Sequence, residues 1–190
     1  MKLKIDNREK KLIKLIMAFK EQFNLKKIDI TIEVLDIGDF IICDDDDNEI
    51  LIIERKSLND LASSIKDGRY VEQSLRLSNL SLHNHNIIYL LEGAIINYKN
   101  TFFRNTLYST LFSLNYYKGF SVINSLNQVE TGDLLLAFAS KLIRENKPGF
   151  YCDLSNNVEN NIINNANIIN TNTTNDNYIE NVKVSKKSHV

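Results

Sequence analysis

Three charged residues at the end of one predicted strand could bind a divalent cation and promote hydrolysis. Glu54, Arg55 and Lys56 follow four apolar residues, and fourteen residues separate Asp39 from Glu54. Side chains two apart on a strand point to the same face, so Glu54 and Lys56 share a face that Arg55 does not. Two carboxylates can hold a cation with open positions, and a neighbouring lysine can orient a water or neutralise a phosphate oxygen. This combination suits metal-assisted phosphodiester hydrolysis.

An exposed β-hairpin with solvated charges is the competing interpretation, because short patterns of Asp and Glu-x-Lys also arise by chance. The run Ile50–Ile53 argues against it, since four consecutive apolar residues indicate burial on both faces of a strand. A charged triplet directly after a buried strand is more typical of a cleft than of a solvated edge. We therefore predict a site at the end of this strand.

The pattern along the rest of the chain predicts the elements that position these residues. Alternating and helical spacing predict strands over 2–6, 28–35, 40–43, 50–55, 87–91 and 120–123, and helices over 9–23, 57–65, 70–80, 103–117 and 131–146. Strands dominate the first part, and strands and helices alternate later. This order predicts an α/β fold, a mixed central sheet flanked by helices, with early strands antiparallel and later strands parallel.

The composition changes near residue 150. Beyond it the chain is rich in Asn, as in NNVENNIINNANIIN, and it closes with KVSKKSHV. Such a segment buries too little apolar surface to offset its chain entropy. We therefore predict one domain over 1–150 and a disordered, low-complexity tail over 151–190.

Composition and charge exclude several classes of protein. Two cysteines cannot build a disulfide framework, and neither lies near a second Cys or a His at metal-ligand spacing. The apolar runs are all much shorter than the 18 or so residues of a membrane span, and the first residues are not a secretory signal. We therefore expect an intracellular protein with no membrane association. The net charge is −1, but residues 1–27 are basic and residues 28–60 acidic, as suits metal-dependent chemistry on a polyanion.

The strings around the charged triplet resemble the nuclease domain of the XPF and Mus family of structure-specific endonucleases. The family signature is GD…ERKxxxD, preceded by a strand ending in D-x-R-E and followed by G-R in the next helix. This sequence has IDNRE, then GDF, then IERKSLNDLASSIKDGRY. The resemblance covers about residues 2–146, and the matching positions are Asp6, Arg8, Glu9, Gly38, Asp39, Glu54, Arg55, Lys56, Asp60, Gly68 and Arg69.

The resemblance implies a restriction-endonuclease-like fold and a nuclease that depends on Mg²⁺ or Mn²⁺. Its substrate would be branched DNA, such as 3′ flaps and forks, in repair or recombination. Asp39 and Glu54 would be the principal metal ligands, with Asp6 close enough to support the metal or its waters. Lys56 would position the attacking water. Arg55 and Arg69 would support the site or contact the DNA backbone.

Several of these residues have a plain structural alternative. Asp60 lies three residues after a serine, which is also the spacing of a helix capping box. Arg8 and Glu9 could form an ordinary ion pair near a helix start. Arg69 and Gln73 are four apart and share a helix face, so they could contact a phosphate or simply face solvent.

Two other clusters suggest chemistry but have simpler explanations. Asp44–Asp47 resembles a cation site, yet consecutive carboxylates cannot converge on one ion without a specialised loop and would repel DNA. We predict a hairpin tip that points away from the substrate. Tyr116 and Tyr117 could stack on bases, but their surroundings predict first an amphipathic helix with its apolar face in the core.

Partners follow from the resemblance as expectations. Nothing in 154–190 resembles the tandem helix-hairpin-helix domain that cellular members use to dimerise. Pairing through the nuclease domain itself, as a homodimer or heterodimer, remains open through residues 107–120 and 134–143. A non-catalytic DNA-binding or scaffolding subunit and a homodimeric junction resolvase are the alternative functions. The nucleus is the expected location for a cellular protein, and the host cell for a viral one.

Overall fold

A six-stranded mixed sheet forms the centre of the structure, a computed structural model that describes residues 1–151. The strands lie in the order β2-β1-β3-β4-β5-β6. Their bounds are Lys2–Asp6 for β1, Asp29–Glu33 for β2, Phe40–Cys43 for β3, Glu49–Ser57 for β4, Ile87–Glu92 for β5 and Ser121–Ser125 for β6. Only β3 runs antiparallel to its neighbours. One edge of the sheet therefore holds the carboxyl ends of five strands and the amino end of β3.

Helices cover both faces of this sheet, as the sequence predicted. Their bounds are Lys10–Gln22 for α1, Leu58–Lys66 for α2, Arg69–Ser78 for α3, Thr101–Phe112 for α4 and Gln128–Glu145 for α5. Buried residues of α1 and α5 pack on one face, and those of α2, α3 and α4 pack on the other. None of the described helices is both long and apolar enough to cross a membrane.

The apolar run of β4 is buried because β4 lies inside the sheet, between β3 and β5. Ile52 and Ile53 are both inaccessible to solvent, although their side chains point to opposite faces. The strand continues without a break to Ser57. Strand alternation therefore extends into the charged triplet, which confirms that Glu54 and Lys56 share one face and Arg55 lies on the other.

The predicted antiparallel arrangement of the early strands is wrong for β1 and β2. These two strands are parallel, with Lys2 opposite Asp29 and Asp6 opposite Glu33. Helix α1 connects them across one face of the sheet, as a parallel pair requires. The alternation within residues 28–35 indicates a strand but says nothing about its partner. The hairpin of β3 and β4 is as predicted.

The elements described above belong to one compact unit, Met1–Lys147. The mixed sheet flanked by helices confirms the predicted fold class. The predicted tail over 151–190 lies, apart from its first residue, outside the residues that the structure describes. The boundary near residue 150 therefore stays a prediction.

Candidate active site

A polar cavity opens at the edge of the sheet where the carboxyl ends of the strands meet, beside α3. Its charged and amide-bearing lining residues are Arg8, Asp36, Asp39, Glu54, Gln73 and Arg76. They come from the end of β1, the turn before β3, the end of β4 and one face of α3. Residues far apart in the sequence therefore meet at one opening.

Gly38 sets the position of Asp39 at the start of β3. Its φ of +71° is unfavourable for any residue with a side chain, and a Cβ there would lie 2.8 Å from Cγ2 of Ile52. The turn passes this close because the backbone N–H of Asp39 donates to the carbonyl oxygen of Ile53 at 2.9 Å. The backbone N–H of Arg55 then donates to Oδ2 of Asp39 at 2.8 Å.

Asp39 and Glu54 form a partly buried carboxylate pair. Burial raises the pKa of Asp39, and the hydrogen bond from the Arg55 backbone N–H opposes that shift. Burial, followed by the negative charge of Asp39, raises the pKa of Glu54 to about 7. Two carboxylates that disfavour each other's charge favour a bound cation or proton.

The pair fits a hard divalent cation in its chemistry. Carboxylate oxygens are the protein ligands that Mg²⁺ prefers, and Mg²⁺ usually takes only one or two of them beside waters and phosphate oxygens. Within residues 1–151, no group of three or more His, Cys, Asp or Glu side chains is arranged to hold a metal. Asp39 and Glu54 therefore stand as a pair, without a third such side chain from the described part of the chain.

Lys56 lies beside the carboxylate pair and is almost fully buried. Its Nζ donates to Oε1 of Glu54 at 3.4 Å and to Oε1 of Gln73 on α3. Arg69 and Gln73, which were predicted to share a helix face, therefore have different surroundings. Gln73 reaches the cavity, whereas Arg69 pairs with Asp67 at 2.7 Å and is exposed away from the lining.

Asp6 anchors Arg8 at the mouth of the cavity. Asp6 is inaccessible to solvent, and its two oxygens accept from the backbone N–H, Nε and Nη2 of Arg8 and from the backbone N–H of Leu35. The hydrogen bonds from the Arg8 side chain lower the pKa of Asp6 to about 2. With four hydrogen bonds already made, Asp6 has little capacity left for a metal, and its predicted supporting role stays a prediction.

Arg55 holds a second polar cluster on the opposite face of the sheet. Its guanidinium contacts Glu92 through Nη2 at 2.8 Å and Glu9 through Nη1 at 3.3 Å. Thr131 at the start of α5 donates its hydroxyl to Glu92 at 3.1 Å. Burial raises the pKa of Glu9, and the charge of Arg55 opposes that shift. Arg55 and Glu9 therefore lie away from the cavity, and only the backbone of Arg55 touches Asp39.

Asp60 acts as a capping residue. Its backbone N–H donates to Oγ of Ser57 at 3.1 Å, and the Ser57 hydroxyl donates back to its carboxylate at 2.6 Å. This confirms the capping interpretation of the serine and aspartate spacing. The cap fixes the turn that follows Lys56 and starts α2.

Residues 5–138 match the ERCC4 domain. The chain belongs to the ERCC4 domain family. Among curated relatives, it is 44% identical over 102 residues to a protein of Dictyostelium discoideum described as "Probable crossover junction endonuclease mus81". It is 34% identical over 77 residues to "ERCC4 domain-containing protein EP364R" of African swine fever virus, strain Badajoz 1971 Vero-adapted.

These matches cover 51% and 40% of this chain but only 11% and 21% of the respective relatives. Among solved structures, this ERCC4 domain resembles XPF from Aeropyrum pernix with a TM-score of 0.62 and 22% identity, over 76% of this chain and 66% of that one. The same protein in complex with DNA matches with a TM-score of 0.59 and 22% identity, over 79% and 68%. The comparison confirms the predicted fold and the XPF and Mus type of family.

Sequence reasoning missed two residues of this ERCC4 domain that line the cavity, Asp36 and Arg76. Arg76 donates from Nη2 to the carbonyl oxygen of Asp36 at 3.0 Å. It follows Gln73 by three residues on α3, so helical spacing could have identified it. Glu92 was missed as the partner of Arg55, because sequence spacing does not show which residues meet across neighbouring strands. The predicted helix before Tyr116 and Tyr117 is present, with Leu107 and Leu114 in the core, but both tyrosines are exposed.

Proposed function

We propose that this chain is a divalent-metal-dependent DNA endonuclease that hydrolyses a phosphodiester bond near a branch in one strand. The observation that carries the proposal is the pair of Asp39 and Glu54, which line an open polar cavity, with the buried Lys56 beside Glu54. Membership of the ERCC4 domain family and the description of one relative as a crossover junction endonuclease support it. The preference for 3′ flaps and forks rests on the family resemblance alone.

Asp39 and Glu54 would hold Mg²⁺ or Mn²⁺. When bound, such a cation offsets the charge of the scissile phosphate and makes the attacking water more acidic. The hydrogen bond from the Arg55 backbone N–H to Oδ2 of Asp39 fixes the orientation of the carboxylate. The other oxygen of Asp39 does not take part in that hydrogen bond. Arg55 is in this view a positioning residue rather than a catalytic one.

Lys56 would orient the attacking water or bind a phosphate oxygen. An ammonium group has three N–H donors, and two are taken by Glu54 and Gln73. The third remains for the water or the substrate. Because Glu54 and Gln73 hold the ammonium from two sides, its position is fixed before the substrate arrives, which is how preorganised charge stabilises a transition state.

Arg8 and Arg76 would bind the phosphates next to the scissile one. Arg8 uses Nε and Nη2 on Asp6 yet its side chain is 70% exposed, and Arg76 uses one donor on the carbonyl oxygen of Asp36. Each guanidinium keeps further N–H groups for phosphate oxygens. Contacts to phosphates position DNA without reading its sequence, as cleavage directed by branch structure requires. We also retain Arg69 as a more distant phosphate contact.

We further propose that the chain pairs with a second copy through the end of α4. Phe112, Tyr116 and Tyr117 form an exposed aromatic group there, with the rings of Phe112 and Tyr116 stacked at 5.1 Å. Contiguous exposed apolar surface of this kind marks an interaction site. A homodimer measured by light scattering, converted to monomer by Tyr116→Lys with the fold retained, supports this pairing. A monomeric wild type excludes the homodimer, and the partner would then be another chain.

The nuclease proposal is tested by incubating the purified chain with labelled 3′-flap, fork, four-way-junction and duplex DNA. Reactions contain Mg²⁺, Mn²⁺ or EDTA, and Asp39→Ala and Lys56→Ala are compared with Asp133→Ala and Lys14→Ala, whose charges are exposed on α5 and α1. We expect cutting near the branch that requires metal, fails in the two site variants and persists in the two controls.

Other outcomes of the same assay lead to other functions. Branch binding without cutting in any metal would contradict the enzyme and support the scaffolding alternative. Paired nicks across a four-way junction would indicate a junction resolvase. Metal-dependent cutting that survives both Asp39→Ala and Lys56→Ala would mean that the site is elsewhere. A DNA substrate also implies action in a compartment that contains DNA, a nucleus or an infected host cell.

A further inference from the structure

A second groove lies at the same edge of the sheet as the candidate active site. It is formed by the turn between β4 and α2 and by the segment between β5 and α4. The residues that matter for its chemistry are Ser57, Asn59, Glu92, Asn97, Lys99 and Asn100. Ser57 directly follows Lys56 on β4, so this groove begins where the catalytic strand ends.

The segment that forms the far wall of this groove is basic. Between Gly93 and Asn100 it contains Lys99 and no acidic residue, and Arg104 follows in the first turn of α4. Arg104 donates Nε to the carbonyl oxygen of Tyr98 at 2.9 Å, which places its charge against the same segment. Lys66, at the end of α2, lies with its Nζ 4.9 Å from the centre of the Phe103 ring. The wall therefore favours an anionic ligand.

The acidic side chains next to the groove already have partners. Glu92 is bound by the guanidinium of Arg55 and by the hydroxyl of Thr131. The carboxylate of Asp60 accepts from the Ser57 hydroxyl at the start of α2. A phosphate in the groove would consequently meet Lys99 and neutral amides, with the charge of Glu92 balanced by Arg55.

Two large apolar side chains that are near neighbours in sequence of groove residues are exposed to solvent. Phe102, in the first turn of α4, is 92% exposed, and Ile96 in the preceding segment is also exposed. Asn100 begins α4 by accepting from the backbone N–H of Phe103, so the turn that carries Phe102 is held in place. An aromatic ring open to solvent, carried by a capped helix turn close in sequence to amides and a lysine, has the composition of a platform for unpaired bases.

We propose that this groove, with Phe102 at its border, binds the single-stranded part of the branched substrate. Phe102 stacks on an unpaired base, Lys99 binds a phosphate, and Asn97 offers an amide to a base edge. The inference deepens the proposed nuclease function and depends on it for its meaning. It gives a physical basis for recognition of a branch, because duplex bases are stacked on one another and cannot reach an aromatic ring.

The test uses the full chain in EDTA, so that binding is measured without cleavage. Fluorescence anisotropy gives the affinity for a 3′-flap DNA, a single-stranded oligonucleotide and a blunt duplex at low salt. We expect Phe102→Ala to weaken binding of the single strand and the flap about fivefold or more and to leave duplex binding unchanged. Lys99→Ala should weaken binding of the same two ligands about threefold and make the salt dependence of that binding shallower.

Matched controls come from the segment that follows α1. Phe23→Ala removes another exposed ring and Lys26→Ala another exposed ammonium, and both should leave the three affinities unchanged. Photocrosslinking of a flap that carries 5-iodouracil, followed by mass spectrometry, should give a peptide that contains Phe102. Unchanged flap affinity in Phe102→Ala, or a crosslink that maps elsewhere, would overturn the proposal.

Failure of this proposal can be separated from failure of the nuclease function. If Phe102→Ala cuts branched DNA and binds the flap with normal affinity, the single-strand subsite is contradicted and the nuclease function is supported. If the chain cuts no DNA but its flap binding depends on Phe102, the single-strand subsite is supported and the nuclease function is contradicted. If Phe102→Ala changes the oligomeric state and not the DNA affinity, the surface binds protein and the inference is wrong.

Discussion

The backbone N–H of Arg55 donates a 2.8 Å hydrogen bond to Oδ2 of Asp39. Arg55 lies between Glu54 and Lys56 on β4 and therefore touches the site only through its main chain. Its guanidinium binds Glu9 and Glu92 on the other face of the sheet. A single residue therefore connects the ion-pair cluster on one face of the sheet with the carboxylate pair at the cavity.

Arg55→Met should destabilise the fold strongly. It leaves Glu9 and Glu92, both largely buried, without their cation, and breaking a buried pair costs about 3–5 kcal/mol. Arg69→Met makes the same chemical change at an exposed pair with Asp67 and should cost little. Urea denaturation of both variants measures the difference. Equal stability of the two would show that the Glu9 and Glu92 contacts do not matter to folding.

Gly38→Ala should displace Asp39 and reduce activity. Alanine disfavours the φ of +71°, and its Cβ would collide with Cγ2 of Ile52 at 2.8 Å, so we expect a loss of about 2–3 kcal/mol. Gly68→Ala is the matched control, because Gly68 also has a positive φ but nothing lies within 4 Å of its Cβ position. We expect it to cost about 1 kcal/mol and to leave cleavage intact. Denaturant curves and flap cleavage should be measured on both, and full activity in Gly38→Ala would contradict the role given to this turn.

The Asp6 and Arg8 pair should contribute to acid stability. The pKa of Asp6 is lowered to about 2 in the folded chain, so its contribution is complete above its ordinary value near 4 and is lost as the pH falls towards 2. Because Arg8 is mostly exposed, solvent screens the pair, and we expect about 1 kcal/mol. Asp6→Asn should be less stable than wild type at pH 6, and the difference should shrink between pH 4 and pH 2.5. A difference that does not depend on pH would mean that packing, and not charge, causes the loss.

Mn²⁺ should stabilise the wild type through Asp39 and Glu54. At ten times its dissociation constant, a ligand that binds only the folded state adds about 1.4 kcal/mol, which corresponds to a rise in Tm of a few degrees. Asp39→Asn should abolish the rise, whereas Asp133→Asn, an exposed carboxylate on α5, should retain it. Thermal denaturation with Mn²⁺ and with EDTA makes the comparison. An equal rise in Asp39→Asn would locate the cation elsewhere.

Strand periodicity was enough to predict the part of the site that lies within one hairpin. Four consecutive apolar residues indicated that β4 lies inside the sheet. Because side chains alternate along a strand, Glu54 and Lys56 then had to share one face. Periodicity could not show that Arg55 would meet Glu92, since that contact depends on which strand becomes the neighbour of β4. The parallel pairing of β1 and β2 was missed for the same reason.

Exposure was the other quantity that the sequence could not settle. Tyr116 and Tyr117 follow an amphipathic pattern, yet the α4 helix changes to a π-helical turn over Ser113–Tyr117 and both rings face outwards. An extra residue in a helical turn shifts every later side chain around the axis. The placement of Arg76, by contrast, required only continuing the spacing from Gln73.

The β3–β4 hairpin runs across the sheet, so its turn lies at one edge of the sheet and its open end, with Asp39 and Glu54, lies at the other. Asp39 and Glu54 lie at one edge, while the acidic tip, which pairs with Lys2 and Lys4 through Asp47, lies at the other, about 13 Å away. Length and composition can therefore vary at the tip without moving the carboxylates. The tip is accordingly the natural attachment point for a fluorophore or a fused domain that must leave the chemistry undisturbed.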